Sequence, residues 1–231
     1  MKKKLLLLSV PLSFSLLWIM RENITNAKFL EARRIECKTQ YGPCEEEDLK
    51  ITNSALGENI ITFNAKRLKE KLLQRFKNEE VFIQRVFPST IEVVIQKRKG
   101  YIALKKEGIG EGFFVVDSNG TVLSFARNTA LPSLVLSTDY KTPVVGEKVD
   151  SRVVTSGKLV KLTSKIDEVG KATLFKDRLE IVLPALIVTY PVDLDPTLLT
   201  GALQLILTRT KMDNKVPVSV DLRYKNPVLT Y

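Results

Sequence analysis

The chain has 231 residues, of which 44% are hydrophobic and 27% charged, and its formal net charge is +10. This composition is typical of a globular protein and excludes a largely disordered one. The sequence has no histidine and two cysteines, which excludes Ser/His and Cys/His catalysis and a four-cysteine zinc site. The excess of basic residues predicts a protein that acts beside an anionic surface. It does not indicate nucleic-acid binding, because the sequence has neither helix-turn-helix nor zinc-finger spacing.

The first residues have the pattern of a targeting segment. Lysines 2–4 precede an uncharged stretch from Leu5 to Met20, and Arg21 follows it. We predict a transmembrane signal anchor over residues 5–24, with residues 1–4 as a cytoplasmic stub and the bulk of the chain outside. A cleaved signal peptide is the alternative, although the residues around Ala27 make a poor cleavage site.

Residues 28–104 predict a small domain of strand, helix, short strand, helix and two further strands. The acidic run before Leu49 suits a helix N-terminus, and we interpret it as a solvated helix start rather than a metal site. A short strand is expected at 59–64, with Asn64 capping the amphipathic helix that follows. The last two strands are joined at Pro88.

Residues 105–231 predict a second domain, in which strand signals dominate. Hairpins are expected around the Asp117–Gly120 turn and the Lys176–Asp177 turn. One helix is predicted over 151–166. A second is predicted to begin at Asp195, whose side chain suits the N-cap position.

Three stretches of the chain carry motifs in a recognisable order. They are RVFPSTIEVVIQKR at 85–98, FFVVDSNGTVL at 113–123 with ALPSLVL after it, and VDLRY at 220–224 with NPVL after it. Together they resemble the bacterial cell division family FtsQ, called DivIB in Gram-positive bacteria. The resemblance implies an α+β fold: an N-terminal transmembrane helix, a POTRA-like domain with a small sheet and two helices over 28–104, and a mostly antiparallel β domain with two helices over 105–231.

The resemblance also implies a function. It implies a non-enzymatic divisome scaffold, anchored once in the inner (cytoplasmic) membrane at the division septum, that helps to control septal cell-wall synthesis. The implied partners are bitopic proteins of the FtsB (DivIC) and FtsL kinds, with other divisome proteins at the POTRA-like domain, and no cofactor or metal is implied. The sequence agrees with a non-enzyme, since it contains no S-x-x-K, Walker A or G-x-G-x-x-G motif.

The end of the chain is the predicted binding site. Its alternating sequence VPVSVDLRY predicts a half-buried strand over 216–224, and a strand at a sheet edge offers free backbone groups to an incoming strand. The resemblance implies that the partner contacts lie in this strand. The alternative is a core strand that is paired on both sides. The predicted contact residues are Val220, Leu222, Arg223, Tyr224 and Asn226.

Two questions stay open at this point. Cys37 and Cys44 flank a turn-like Tyr-Gly-Pro, which favours a disulfide outside the cytoplasm over free thiols in a reducing niche. Two other functions also compete with the scaffold. One is an exported POTRA-type module that binds polypeptides for translocation or outer-membrane assembly, and the other is a basic wall- or lipid-binding protein without a specific partner.

Overall fold

The computed structural model describes residues 28–213 and 215–231. These residues form two compact units, of which the first ends at Lys97 and the second runs from Arg98 to Tyr231. Each unit has its own β-sheet and its own hydrophobic core.

The first unit combines a four-stranded sheet with two helices. A short 3-10 helix, Lys28–Leu30, precedes it. The strands are β1 (Arg34–Thr39), β2 (Gly42–Pro43), β3 (Asn78–Val86) and β4 (Thr90–Lys97), in the order β2-β1-β4-β3. β1 lies parallel to β4, whereas β3 and β4 form an antiparallel hairpin. The helices α1 (Glu46–Asn53) and α2 (Ala65–Leu73) connect β2 to β3.

Local signals predicted α2 correctly and the segment before it wrongly. The side chain of Asn64 accepts a hydrogen bond from the Arg67 N–H at 3.0 Å, which confirms the predicted cap. The predicted strand at 59–64 is instead a turn, closed by a hydrogen bond of 2.8 Å from the Phe63 N–H to the Asn59 carbonyl. The turn buries both Ile60 and Phe63, so the apolar run fills the core without forming a strand.

The acidic run at the start of α1 is partly internal rather than solvated. Asp48 is fully buried, and its Oδ2 lies 2.5 Å from the Nζ of Lys97. Its Oδ1 lies 3.3 Å from the Nε of Arg75, which also contacts Glu47. The run therefore neutralises two cations of the first unit, and the expectation of a wholly solvated helix start was wrong.

The second unit is built on a nine-stranded sheet with the order β13-β12-β11-β10-β9-β8-β5-β6-β7. Two helices, α3 (Ser151–Thr163) and α4 (Pro196–Met212), accompany it. Its strands are β5 (Ile102–Lys106), β6 (Phe113–Val116), β7 (Val122–Ala126), β8 (Ser133–Leu136), β9 (Lys171–Leu174), β10 (Arg178–Leu183), β11 (Leu186–Pro191), β12 (Ser219–Asp221) and β13 (Val228–Thr230).

The predicted fold class needs correction in two respects. The transmembrane helix expected over 5–24 lies outside the described residues, and none of the helices in the described part of the chain has the length and hydrophobicity needed to cross a membrane. The second sheet is mixed, because β5–β8, β8–β9 and β11–β12 are parallel pairs, whereas its other five strand pairs are antiparallel. Both α3 and α4 are crossover helices between parallel neighbours, which a hairpin-based prediction misses.

The core of the second unit lies on one face of the sheet, where alternate residues of the strands meet the two helices. Leu203 of α4 and Val160 of α3 are fully buried in the same cluster. The strands nearest the C-terminal edge contribute a row of fully buried side chains to this cluster: Leu179, Ile181, Val188, Tyr190 and Val220. The edge is therefore held in place from behind by a well-packed core.

The Asp117–Gly120 turn, which belongs to one of the recognised motifs, has a clear structural purpose. The Oδ1 of Asp117 accepts hydrogen bonds from the N–H groups of Asn119 and Thr121, at 2.9 and 2.7 Å. Gly120 has a φ of +86°, which favours glycine. The motif thus closes the β6–β7 hairpin, as the sequence predicted.

Tyr190 makes the stability of the second unit sensitive to alkaline pH. Burial raises the pKa of its hydroxyl to about 12, while the Thr163 hydroxyl, 3.2 Å away, acts in the opposite direction. Between its ordinary pKa of 10.0 and about 12, the unfolded chain loses this proton and the folded chain keeps it, so stability falls as the pH rises. We expect Tyr190→Phe to lower the free energy of unfolding by about 1 kcal/mol at pH 7. The variant should also lose less stability than the wild type as the pH rises above 10. Urea unfolding at several pH values checks this, and parallel curves for the two chains would contradict it.

Candidate partner-binding edge

β13 is the outermost strand on one side of the nine-stranded sheet. It pairs in antiparallel fashion with β12, with Leu229 opposite Val220. The strand predicted over 216–224 corresponds to β12, which covers only Ser219–Asp221. β12 lies inside the sheet, between β11 and β13. The C-terminal edge belongs to the next strand along the chain.

The hydrogen bonds of β12 show which backbone groups of β13 face outward. The Val218 carbonyl and the Leu222 N–H bond to β11, and the Thr230 carbonyl accepts from the Val218 N–H on the other side. Backbone groups of successive residues alternate between the two sides of a strand. Since the backbone groups of Thr230 are directed to β12, the N–H and C=O groups of the preceding residue, Leu229, are directed to the open edge.

The opposite edge of this sheet is already partly covered. Val122, at the start of β7, donates to the Glu147 carbonyl at 2.9 Å and accepts from the Gly146 N–H at 2.8 Å. Among the described residues, no comparable backbone bond reaches Leu229 from outside the sheet. Of the two outer strands, β13 is thus the better template for an added strand.

The residues predicted to contact a partner divide into two groups. Val220 and Leu222 are buried, with 0% and 5% of their surface exposed, so they support the edge rather than face a partner. Arg223, Tyr224 and Asn226 are exposed in the loop that connects β12 to β13. Tyr224 falls on the apolar face of the predicted strand, but 59% of its surface is exposed.

An ion pair shapes this loop. The Nη2 and Nε of Arg223 lie 2.7 and 3.0 Å from the two carboxylate oxygens of Asp221, and the Arg223 N–H also donates to Asp221 at 3.0 Å. These hydrogen bonds lower the pKa of Asp221 and raise that of Arg223, so both groups are charged at neutral pH. The Arg223 guanidinium also lies over the Tyr224 ring, 5.8 Å from its centre.

The β9–β10 hairpin adds neighbours that the sequence analysis did not identify. Asp177 lies 3.8 Å from the Nη1 of Arg223. Arg178 stacks 4.4 Å from the ring centre of Phe175, and its Nε donates to Glu180 at 2.7 Å, which raises the pKa of Arg178. The Lys176–Asp177 turn was recognised, but nothing local indicates that it lies beside the end of the chain.

The first unit has an open edge of its own. β3 pairs with β4 alone within the described residues, and it is nine residues long. Phe82 and Val86 are exposed on it, at 48% and 41%. Since Glu79, Glu80 and Arg85 are also exposed on this strand, β3 is a longer but more polar edge than β13.

Cys37 and Cys44 form a disulfide in the structure. It joins β1 to the segment just before α1, and the buried Cys44 belongs to the core of the first unit. We expect the Cys37→Ala/Cys44→Ala chain to be about 2–3 kcal/mol less stable in this unit, because the cross-link restricts the unfolded chain. Urea unfolding with and without dithiothreitol tests this: the reductant should destabilise the wild type only, and an equal loss in the double variant would contradict the assignment.

The comparisons with known proteins point to cell division. The chain is 25% identical over 195 residues to the cell division protein DivIB of Clostridium acetobutylicum, across 79% of this chain and 76% of the relative. No family model matches the chain. The aligned share is large although the identity is low, so the similarity extends beyond a single motif.

Proposed function

We propose that this chain is a non-enzymatic scaffold of cell division that works outside the cytoplasm, at the division septum. In this proposal it binds single-span proteins of the FtsB (DivIC) and FtsL kinds by adding one of their strands to β13, and so helps to control septal wall synthesis. The observation that carries the proposal is the open edge at Leu229, beside the exposed loop of residues 223–226. The similarity to DivIB supports the role in division.

Strand addition explains how so small an edge recognises a partner. The incoming strand exchanges main-chain hydrogen bonds with Leu229, while side chains supply the specificity. Tyr224 is the expected anchor, since exposed aromatic residues next to a rigid element often carry much of the binding energy. Lys225 lies beside it and favours an acidic partner segment, whereas the charge of Arg223 is already paired with Asp221.

The disulfide supports the proposed compartment. Disulfides persist in oxidising environments and are rare in the cytosol, and Cys37–Cys44 is formed in the structure. A chain with a net charge of +10 also suits the anionic surface outside a bacterial membrane. Both points favour the extracytoplasmic site where division proteins of this kind meet.

A pull-down tests the proposal. The full chain, tagged at its N-terminus to leave β13 free, is used to capture proteins from detergent-solubilised membranes of the native organism. We expect small single-span coiled-coil proteins, and we expect Tyr224→Ala to reduce their recovery at least tenfold. Tyr41→Ala is the matched control, because Tyr41 is similarly exposed, at 68%, but belongs to the first unit.

The exported polypeptide-binding module is the second candidate, and the open edge of β3 favours it. In that case the same bait recovers unfolded outer-membrane polypeptides. Their recovery is then insensitive to Tyr224→Ala and falls with Phe82→Ala, which alters the exposed face of β3. That result would overturn the scaffold proposal and move the binding site to the first unit.

A further inference from the structure

Helix α4 carries an apolar stripe that the core does not use. Leu198, Leu205 and Met212 are 68%, 72% and 74% exposed. Gly201 and Thr208, which are also exposed, lie between them. The five positions follow one another at intervals of three and four residues, which is the spacing of the seam between two paired helices.

Gly201 makes a hollow in this stripe that the fold does not require. A β-carbon added at Gly201 would meet no atom within 4 Å. Glycine inside a helix is less favourable than alanine, and among the described residues no close approach accounts for its presence here. A large side chain from another helix would fit over this position.

The charges at the two ends of α4 are opposite. Asp193, which pairs with Arg152, and Asp195 lie at its N-terminal end. Arg209 and Lys211 lie in its last turn, and although Asp213 pairs with Arg209, the net charge of that end is still positive. A second copy of α4 in antiparallel orientation would bring each acidic end beside a basic end, with the helix dipoles opposed as well. A lipid surface fits less well, because basic residues do not flank the stripe along its whole length.

We infer that α4 is a self-association face, on which the α4 helices of two copies of this chain pair in antiparallel orientation. In this pairing Leu205 of each copy lies over Gly201 of the other, and Leu198 meets Thr208. Large residues thus face small ones along the seam. This surface is separate from β13, so the inference does not depend on the proposed partner.

Cysteine cross-linking of the full chain in membranes tests this pairing. The two native cysteines are joined to each other, so a single added thiol gives a clean signal. Cells that express the Leu198→Cys and Thr208→Cys chains together should form a covalent dimer under mild oxidation, because these positions adjoin in the antiparallel pair. Either chain expressed alone should form at least fivefold less covalent dimer. In the antiparallel pair, the cysteine of one copy would then lie about 15 Å along the helix axis from the same cysteine of the other copy.

Two controls decide the outcome. Adding Leu205→Lys to both chains should abolish the mixed dimer, whereas adding Val182→Lys, an exposed position on β10, should leave it unchanged. Cross-linking of the Leu198→Cys chain with itself would show a parallel pair and overturn the inference. No mixed dimer, with the thiol at position 198 nevertheless protected from maleimide, would assign the stripe to a different protein and also overturn it.

Discussion

Replacing Asp48 by alanine is expected to lower the free energy of unfolding of the first unit by about 3–5 kcal/mol. The change leaves Lys97, which is 7% exposed, without its closest carboxylate. It also removes an acceptor for the Asn78 side-chain amide, 3.2 Å from Asp48. Glu45 lies 3.4 Å from Lys97 but is itself half exposed, so it offsets only part of the loss.

Amide exchange in urea measures this loss in the full chain, because peptides from β3 and β4 report the first unit separately. The matched control is the paired replacement Asp48→Leu/Lys97→Met. Exchanging a buried ion pair for apolar side chains of similar size is often neutral or stabilising. If the paired variant were as unstable as Asp48→Ala alone, the cost would come from packing rather than from a buried charge without a partner.

The second large effect is expected at the open edge. Leu229→Pro removes the outward N–H that a partner strand would use, and proline is tolerated at such edge positions. We expect it to weaken binding of a peptide from the extracytoplasmic end of the proposed FtsB-like (DivIC-like) partner by about 10–100-fold, which corresponds to the loss of one or two main-chain hydrogen bonds together with their geometry.

Leu229→Ala is the control for this change. Leu229 packs partly against the core, and both substitutions lose that packing, but only alanine keeps the N–H. Isothermal titration of the two variants therefore isolates the backbone contribution. Equal affinities for the alanine and proline chains would contradict strand addition at this residue.

Local signals in the sequence predicted much of the fold. The turn residues from Asp117 to Gly120 predicted the β6–β7 hairpin, and Asp195 predicted the start of α4, where its side chain accepts bonds from Thr197 and Leu198. These features depend on neighbours within a few positions. The parallel strand pairs depend on segments that are distant in the sequence, so the prediction did not include them.

The buried ion pair shows the same limit. Asp48 and Lys97 are 49 positions apart, and nothing distinguishes Lys97 from the basic residues that follow it. A partner for a buried charge is a property of the folded chain, because the sheet and α1 must both form before the two groups meet. The acidic run was therefore interpreted by its most common use, a solvated helix start.

The open edge of the second sheet lies one strand later in the chain than predicted. The predicted alternation over 216–224 holds only at Val220 and Leu222, which are buried, whereas Val216, Val218 and Tyr224 of the same predicted face are exposed. Only Ser219–Asp221 forms a strand. The Asn226–Pro227 pair is a turn signal, and it indicates that the chain reverses before its last residues. This turn signal would have placed the open edge at β13. It would not have shown that Asp177 lies near the loop before that strand.

Amide hydrogen exchange at Leu229, with and without the partner peptide, tests the central claim most directly. We expect this N–H to exchange rapidly in the free protein, because it faces the open edge, and to become protected when the partner adds its strand. Protection at Leu229 that is lost with Tyr224→Ala would support both the edge and its anchor. Tight binding with unchanged exchange at Leu229, or with new protection along β3 instead, would contradict the account.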